Sequence, residues 1–213
     1  MSAVKNAYQL QAQTVIKNMK KRGINGYYAA DKEEALKTAL SLMEKGSSVA
    51  AGGSATLTEI GLLDYVKTHP DEYTFIDRKA AKTPLEVREI HAKTMMADYF
   101  LMSSNAITKE GELVNIDGNG NRVGALCFGP DKVIIVAGMN KITSDLHAAY
   151  KRIRTQACPP NCMRLNLKTP CAATGFCGDC LGSQSICSQF LTIRQSRYED
   201  RIHVILVGEN LGF

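Results

Sequence analysis

The chain has 213 residues, of which 45% are hydrophobic and 22% charged, and its formal net charge is +5. These values are ordinary for a globular protein and argue against extensive disorder, while so mild a basic excess does not indicate a nucleic-acid partner. The N-terminal residues lack the apolar core of a signal peptide, and no apolar stretch approaches the roughly 18 residues that span a bilayer. We therefore expect a cytoplasmic chain without membrane insertion.

The first half of the chain alternates predicted helices with predicted strands. An amphipathic helix comes first, with one apolar face formed by Tyr8, Ala12, Val15, Ile16 and Met19. Strands are then predicted at 26–30, 48–51, 73–76 and 99–103. The helices between them begin after Asp31, after the Gly52-Gly53 pair and at Pro84. This alternation favours an α/β fold with a mostly parallel sheet flanked by helices.

The middle of the chain predicts an antiparallel meander inserted between the α/β units. Its strands are 106–108, 112–116 and 123–127, separated by glycine-rich turns. Further elements follow in chain order: a buried strand at 133–137, a helix at 144–154, and closing strands at 191–194 and 202–207. Residues 155–189 show little periodicity, so we interpret them as a cysteine-rich segment within a single α/β domain over 1–213.

A glycine loop after the second predicted strand is the first candidate ligand site. Its sequence is Gly52-Gly53-Ser54-Ala55-Thr56. Glycine lets a ligand approach the backbone, and the free N–H groups of the following helix favour a phosphate, carboxylate or acyl oxygen. Ser54 and Thr56 add hydroxyl donors. The alternative is an ordinary strand–helix turn in which Thr56 and Glu59 form a capping box.

Polar residues over 115–122 and after the strand at 133–137 extend this candidate site. Asp117 is a candidate general base or hydroxyl ligand, and Arg122 can hold a carboxylate or phosphate through two hydrogen bonds. The alternative is a hairpin turn, for which Asp-Gly and Asn-Gly are typical. Lys141 follows a parallel strand, where ligands commonly bind, and we predict that it points into the same cleft. An exposed loop lysine is the alternative.

Four closely spaced cysteines are the second candidate site: Cys171, Cys177, Cys180 and Cys187. Tetrahedral zinc accepts four thiolates, and a [4Fe–4S] cluster also takes four cysteines. Cys158 and Cys162 lie upstream and can replace a ligand or join a second site. Cys127, in a predicted strand, is interpreted as a buried small hydrophobe. The alternatives are free loop thiols or a redox dithiol at Cys177 and Cys180.

Several stretches together carry a family resemblance that spans nearly the whole chain: GGSATLTEIG (52–61), SNAITKEG (104–111), VNIDGNGNR (114–122), FGP (128–130), VAGMNK (136–141), KTPC (168–171) and RIHVILV (201–207). They resemble the lactate-utilisation, or LUD-domain, family, in its short stand-alone branch with a C-terminal cysteine motif. Cys158 and Cys162 look like departures from the family pattern, which often has apolar or small residues there. The metal-ligand prediction therefore leaves them out.

The resemblance implies a fold like that of the sugar-phosphate isomerases and CoA transferases (NagB/RpiA/CoA transferase-like). It also implies a link to the oxidation of L-lactate to pyruvate, in which the family acts beside iron–sulfur subunits. Our first hypothesis is therefore an enzyme or enzyme subunit of small hydroxy-acid utilisation that binds a small anionic metabolite. The alternatives are an iron–sulfur electron-transfer subunit and a zinc-stabilised binding or regulatory protein without catalysis.

The first hypothesis assigns roles to residues of the predicted cleft. The predicted catalytic residues are Asp117, Lys141 and Glu59. The predicted substrate-binding residues are Gly52, Gly53, Ser54, Thr56, Asn105, Gly118, Asn121, Arg122 and Asn140. The residues predicted to hold a metal or iron–sulfur cluster are Cys171, Cys177, Cys180 and Cys187.

Overall fold

The computed structural model describes residues 2–213, which form two β-sheets and the helices around them. The strands are β1 (Asn25–Ala29), β2 (Ser48–Ala51), β3 (Thr74–Ile76), β4 (Tyr99–Met102), β5 (Ala106–Thr108), β6 (Leu113–Asp117), β7 (Lys132–Gly138), β8 (Ile142–Thr143), β9 (Gln189–Ile193) and β10 (Ile202–Val207). The helices are α1 (Ala3–Lys20), α2 (Lys32–Ser41), α3 (Ala55–Glu59), α4 (Leu62–Thr68), α5 (Pro84–Met95), α6 (Asn121–Cys127), α7 (Leu146–Arg152), α8 (Cys158–Arg164) and α9 (Pro170–Thr174).

The larger sheet has six parallel strands in the order β1-β10-β7-β4-β2-β3. Its interior strands β7 and β10 are apolar and buried almost throughout, as expected for a parallel sheet covered on both faces. Two apolar clusters flank the sheet, one centred on α1 and Phe100 and the other on α2, α3 and α4. The predicted α/β fold with a mostly parallel sheet is confirmed.

Local hydrogen bonds explain where several of these helices begin. The Asp31 carboxylate accepts a hydrogen bond from the Glu34 N–H at the start of α2, and Asp145 does the same for Ala148 in α7. At α5, Thr83 and Glu86 form a reciprocal capping box with proline at the first turn. The predicted starts of α2 and α5 are therefore confirmed.

The smaller sheet has the order β8-β5-β6-β9. The pairs β5–β6 and β6–β9 are antiparallel, and β8 runs parallel to β5. The smaller sheet is thus mixed, with two antiparallel pairs and one parallel pair, and its strand β9 comes from the far C-terminal part of the chain. This sheet packs beside the larger one and presents β6 to the same edge at which β2, β4 and β7 end.

The predicted strand at 123–127 is wrong, because these residues form helix α6. The Asp117 carboxylate accepts hydrogen bonds from the N–H groups of Asn119, Gly120 and Val123, so it caps the turn and directs the chain into a helix. Gly120 adopts a left-handed conformation, with φ of +79°, that suits glycine. The alternative hairpin interpretation of this turn is therefore also wrong, and Cys127 is exposed rather than buried.

The cysteine-rich segment is more regular than its composition suggests. A π-helical stretch over Ile153–Ala157 joins α7 directly to α8, and α9 follows. Proline is tolerated in the first turn of α9 because the N–H that it lacks has no partner within the helix there. Among residues 2–213, no helix combines the length and the apolar character needed to cross a bilayer.

Candidate functional site

A cleft of about 490 Å³ opens where strands of both sheets end. One side is formed by Gly53 to Thr56 after β2 and by Ser103 to Asn105 after β4. The end of β6 and Lys141, which follows β7, complete its floor. Ligands of parallel α/β sheets commonly bind at the carboxyl ends of strands, so this cleft is the candidate functional site.

Lys141 is the buried cation at the floor of the cleft, with only 3% of its surface exposed. Its Nζ donates hydrogen bonds to the hydroxyls of Thr56 at 2.9 Å and Ser103 at 3.0 Å. Within residues 2–213, Lys141 forms no ion pair with a carboxylate. An ammonium has three N–H donors, so the third is available to a ligand in the cleft.

The surroundings of Lys141 bring its titration into the neutral range. Burial lowers the pKa of Lys141 from 10.5 to about 7, since the charged form loses its water. Repulsion from the guanidinium groups of Arg152 and Arg122 contributes to this lowering of the pKa, and attraction to Glu59 partly offsets it. At neutral pH the side chain can therefore serve both as an ammonium that attracts an anion and as an amine that accepts a proton.

Arg122 is the second cation that lines the cleft, and protein acceptors surround its half-buried guanidinium. Nη1 donates to the Ser103 carbonyl at 3.2 Å and to Asn115 Oδ1 at 2.7 Å. Nη2 donates to Asn105 Oδ1 at 2.8 Å and to the Ile116 carbonyl at 2.6 Å. Arg122 thus ties the end of β4 to the end of β6. It fixes Ser103, which in turn contacts Lys141.

Gly52 explains how the Arg122 side chain fits beneath the glycine loop. A Cβ atom at this position would lie 3.1 Å from Cδ of Arg122, which is tighter than ordinary van der Waals contact. The first glycine of the loop therefore makes room for a structural arginine rather than for a ligand, and Gly52 does not line the cleft.

The C-terminal segment closes over one side of this floor. The Glu59 carboxylate accepts a hydrogen bond from the Gly212 N–H at 2.8 Å, and Asn140 Oδ1 accepts one from the Leu211 N–H at 3.1 Å. Ser54, not Thr56, caps α3 by accepting a hydrogen bond from the Leu57 N–H. The interpretation of Thr56 and Glu59 as a capping box is therefore wrong, because both side chains are engaged elsewhere.

Comparison with known proteins agrees with this architecture. The model of the family described as LUD domain matches residues 12–207. The chain belongs to the LUD-domain family. A crystal structure of a DUF162 family protein from Deinococcus radiodurans is similar to it, with a TM-score of 0.52 and 15% sequence identity over 97% of this chain and 99% of that chain. At this identity the similarity supports the fold alone. No curated protein matches the chain.

Most of the predicted binding residues of this LUD domain lie around the cleft. Those that line it are Gly53, Ser54, Thr56, Asn105, Asp117, Gly118, Asn121, Arg122 and Lys141. Gly52, Glu59 and Asn140 do not. Asp117 has both carboxylate oxygens engaged by N–H groups of its own turn, with Arg122 Nε 3.7 Å away. To act as a general base, Asp117 would have to give up some of those hydrogen bonds. Lys141 is therefore the better candidate for the general base.

The four cysteines that are predicted metal ligands do not come together in this structure. Cys171 contacts Thr169 at the start of α9, and Cys177 is exposed with its Sγ 3.3 Å from Nε of Arg154. Cys187 lies instead against Cys158. In the part of the chain that the structure describes, no three His, Cys, Asp or Glu side chains are arranged to hold a metal ion. Metal binding at this segment stays a prediction.

Four residues at or near the cleft were not predicted from the sequence, and they are Ser103, Arg152, Arg78 and Arg164. Ser103 follows β4 directly, so the rule that pointed to Lys141 after β7 also applies to it. Arg152 donates to the carbonyl oxygens of Asn140 and Asn105 from within α7, and no sequence pattern distinguishes it from the exposed cations of that helix. Arg78 and Arg164 add positive charge to the cleft wall from segments that are distant in sequence.

Proposed function

We propose that this LUD-domain protein is an enzyme, or a subunit of one, that binds a small hydroxy or keto acid in the cleft above Lys141. The observation that carries the proposal is a buried lysine that lines the cleft, donates to two hydroxyls and, among residues 2–213, forms no ion pair with a carboxylate. A buried ammonium without a counter-ion is costly, and a bound carboxylate would supply that counter-ion. The cationic side chains around the cleft favour an anionic ligand in the same way.

Lys141 also suits proton transfer at an α-hydroxyl or α-keto oxygen. With a pKa of about 7, a substantial fraction of the side chain is a neutral amine at neutral pH. Such an amine can accept the proton of a substrate hydroxyl as a C–O double bond forms. Oxidation of a hydroxy acid also breaks the C–H bond on the carbon that bears the hydroxyl. That hydrogen leaves as a second proton while its two electrons pass, one at a time, to an acceptor, and we assign the acceptor role to a partner iron–sulfur subunit.

L-lactate and pyruvate are the first candidates within this substrate class. Their assignment rests on membership of the lactate-utilisation family, whereas the cleft supports the wider class of small hydroxy and keto acids. A three-carbon acid fills only a small part of about 490 Å³, a volume in the range of sites for larger ligands. The remaining space suits a longer hydroxy acid or a sugar phosphate equally well, so the test includes a sugar phosphate beside the small acids.

Calorimetric titration of the reduced protein with a matched panel tests the proposal. The panel contains L-lactate, pyruvate, propionate and a sugar phosphate. Propionate keeps the carboxylate and the carbon number but lacks the oxygen on the second carbon. We expect L-lactate or pyruvate to bind about 10-fold more tightly than propionate, the effect of roughly one additional hydrogen bond. Binding of the sugar phosphate alone, or of none of the four, would contradict the proposal.

A further inference from the structure

Two cysteines that are distant in sequence meet at the wall of the cleft. The Sγ atoms of Cys158 and Cys187 lie 3.6 Å apart, although 29 positions separate the residues along the chain. Cys158 is the first residue of α8 and is 3% exposed, whereas Cys187 lies in the loop before β9 and is partly exposed. A disulfide bond is about 2.05 Å long, so a modest movement of the loop joins the two sulfur atoms.

The loop that carries Cys187 also contacts the polar turn at the cleft floor. The Ser188 N–H donates to the Asp117 carbonyl at 3.0 Å. The Ile186 backbone packs against Gly118 so closely that a Cβ atom there would lie 3.1 Å from the Ile186 Cα. Cys158, Ile186 and Gly118 all line the cleft. A movement of Cys187 towards α8 therefore alters the cleft wall and the turn beneath it.

We propose that Cys158 and Cys187 are a reversible redox pair, which a peroxide oxidises to a disulfide and a dithiol reduces again. This modification site goes beyond the proposed function and does not depend on the identity of the cleft ligand. Metal binding at Cys187 is the competing explanation for the thiol, and the experiment below separates the two.

The oxidation proceeds in two balanced steps. The Cys187 sulfur attacks one oxygen of hydrogen peroxide, the O–O bond breaks, and the departing hydroxide leaves as water with the thiol proton. The product is a sulfenic acid at Cys187. The Cys158 sulfur then attacks the Cys187 sulfur, the S–O bond breaks, and a second water leaves with the Cys158 proton. Two thiols have lost two electrons and two protons, and one peroxide has become two waters.

The other cysteines of the segment differ from this pair in ways that make them useful controls. Cys162 lies one turn further along α8, is buried and lies close to Cys171, so it controls for a second thiol near the pair. Cys177 is exposed beside Arg154. Partial exposure of Cys187 gives peroxide access to this thiol, and Cys158 lies within reach of the resulting sulfenic acid.

Peptide mapping of the oxidised protein tests the proposal. The full chain is treated with hydrogen peroxide, its free thiols are alkylated, and it is digested with trypsin. We expect a disulfide between peptides 155–164 and 169–194 that dithiothreitol removes. The cross-link disappears in Cys158→Ser and in Cys187→Ser, and it persists in Cys162→Ser. The Cys187→Ser variant alters a partly exposed position, so it serves if the buried Cys158 variant fails to fold.

A second measurement follows the cleft wall without any ligand. Hydrogen exchange of the reduced and oxidised protein is compared over 117–121 and 183–188. We expect slower exchange over 183–188 after oxidation, and no such change in Cys187→Ser. A cross-link that persists in Cys158→Ser, or oxidation confined to Cys177 and Cys180, would overturn the proposal. Zinc or iron bound in the purified protein and released by the Cys187 substitution would overturn it equally.

Discussion

The floor of the cleft and its cysteine-bearing wall are built in different ways. The floor brings together Ser103 and Lys141, which follow strands β4 and β7, and Arg122 from the first turn of α6, and hydrogen bonds join them into one network. The wall consists of short helices and the loop before β9, with its thiols at varied depths of burial. Groups that must hold a fixed geometry are thus placed on strand ends, whereas groups that can move lie on the loop.

Within the floor, Arg122 and Lys141 differ in their hydrogen-bond partners. Arg122 donates to four oxygen acceptors of the protein, while Lys141 donates to two hydroxyls and keeps one N–H for the cleft. A cation whose N–H donors are taken up by protein acceptors stabilises the fold, whereas a cation that keeps an unused N–H donor can bind a ligand. Substitutions at these two positions should therefore have opposite effects on the free energy of unfolding.

Replacement of Arg122 has the largest expected effect. Arg122→Met removes four hydrogen bonds, although Asn115 Oδ1 and Asn105 Oδ1 each keep a backbone N–H donor. We expect the free energy of unfolding to fall by roughly 3 kcal/mol, as measured by urea denaturation. Arg122→Lys should recover little of this loss, since one ammonium cannot reproduce the planar fork of the guanidinium. Arg88→Met, at an exposed position, is the matched control. An unchanged denaturation midpoint in Arg122→Met would refute the structural role.

Replacement of Lys141 should separate binding from stability. We expect Lys141→Met to weaken the binding of pyruvate or L-lactate about 10- to 100-fold, the loss of a hydrogen bond to a charged group. Calorimetric titration measures this change, with Lys109→Met at an exposed position as the control. Equal affinities of the two variants would contradict the account.

The same substitution should stabilise the fold in a pH-dependent manner. Burial lowers the pKa of Lys141, so the unfolded chain binds a proton more readily than the folded one between pH 7 and 10.5. The destabilisation of the folded state by the buried Lys141 ammonium is complete below a pH of about 7 and is lost as the pH rises towards 10.5. We expect Lys141→Met to raise the free energy of unfolding by about 1–3 kcal/mol at neutral pH. A stabilising effect of Lys141→Met that grows at higher pH would contradict this sign.

Removal of the Ser103 hydroxyl should have a smaller effect. Ser103→Ala deletes one of the two partners of the Lys141 ammonium, so we expect the affinity for a small acid to fall about 5-fold, equivalent to roughly 1 kcal/mol. Calorimetric titration at constant pH measures this change in affinity. Ser183→Ala, which removes a hydroxyl from the outer wall of the cleft, is the control. A larger loss in the control than in Ser103→Ala would place the ligand on the wall instead of the floor.

Replacement of Glu59 should have the smallest effect among these substitutions. Glu59→Gln keeps an acceptor for the Gly212 N–H but removes its charge, so we expect the free energy of unfolding to change by less than about 1 kcal/mol. Hydrogen exchange at Gly212 should quicken, since a neutral acceptor holds the amide less strongly. A loss of binding as large as that of Lys141→Met would instead support the predicted catalytic role of Glu59.

The sequence predicted the parts of this architecture that local patterns determine. Alternating apolar segments and caps such as Asp31 and the Thr83–Glu86 pair predicted the α/β order. The position of Lys141 immediately after a buried strand predicted its place in the cleft. Both signals depend on residues close together in the chain, and both survive in the folded structure.

The features that the sequence missed depend on contacts between distant segments. Residues 123–127 are apolar and short, so their periodicity does not distinguish a strand from a helix, and the carboxylate of Asp117 decides the outcome. The saturation of Arg122 requires acceptors from β4 and β6 at once. The pairing of Cys158 with Cys187 likewise needs the loop before β9 to reach α8. Spacing along the chain had instead grouped Cys187 with Cys171, Cys177 and Cys180.

The most direct test of the central claim is the titration of the Lys141 side-chain nitrogen by NMR, with and without pyruvate. The account predicts a pKa of about 7 for Lys141 in the free protein. It also predicts a rise of that pKa when pyruvate binds, because a carboxylate next to the ammonium favours the charged form. A pKa of Lys141 near its ordinary value, or one that pyruvate leaves unchanged, would contradict the claim that this lysine receives the anion.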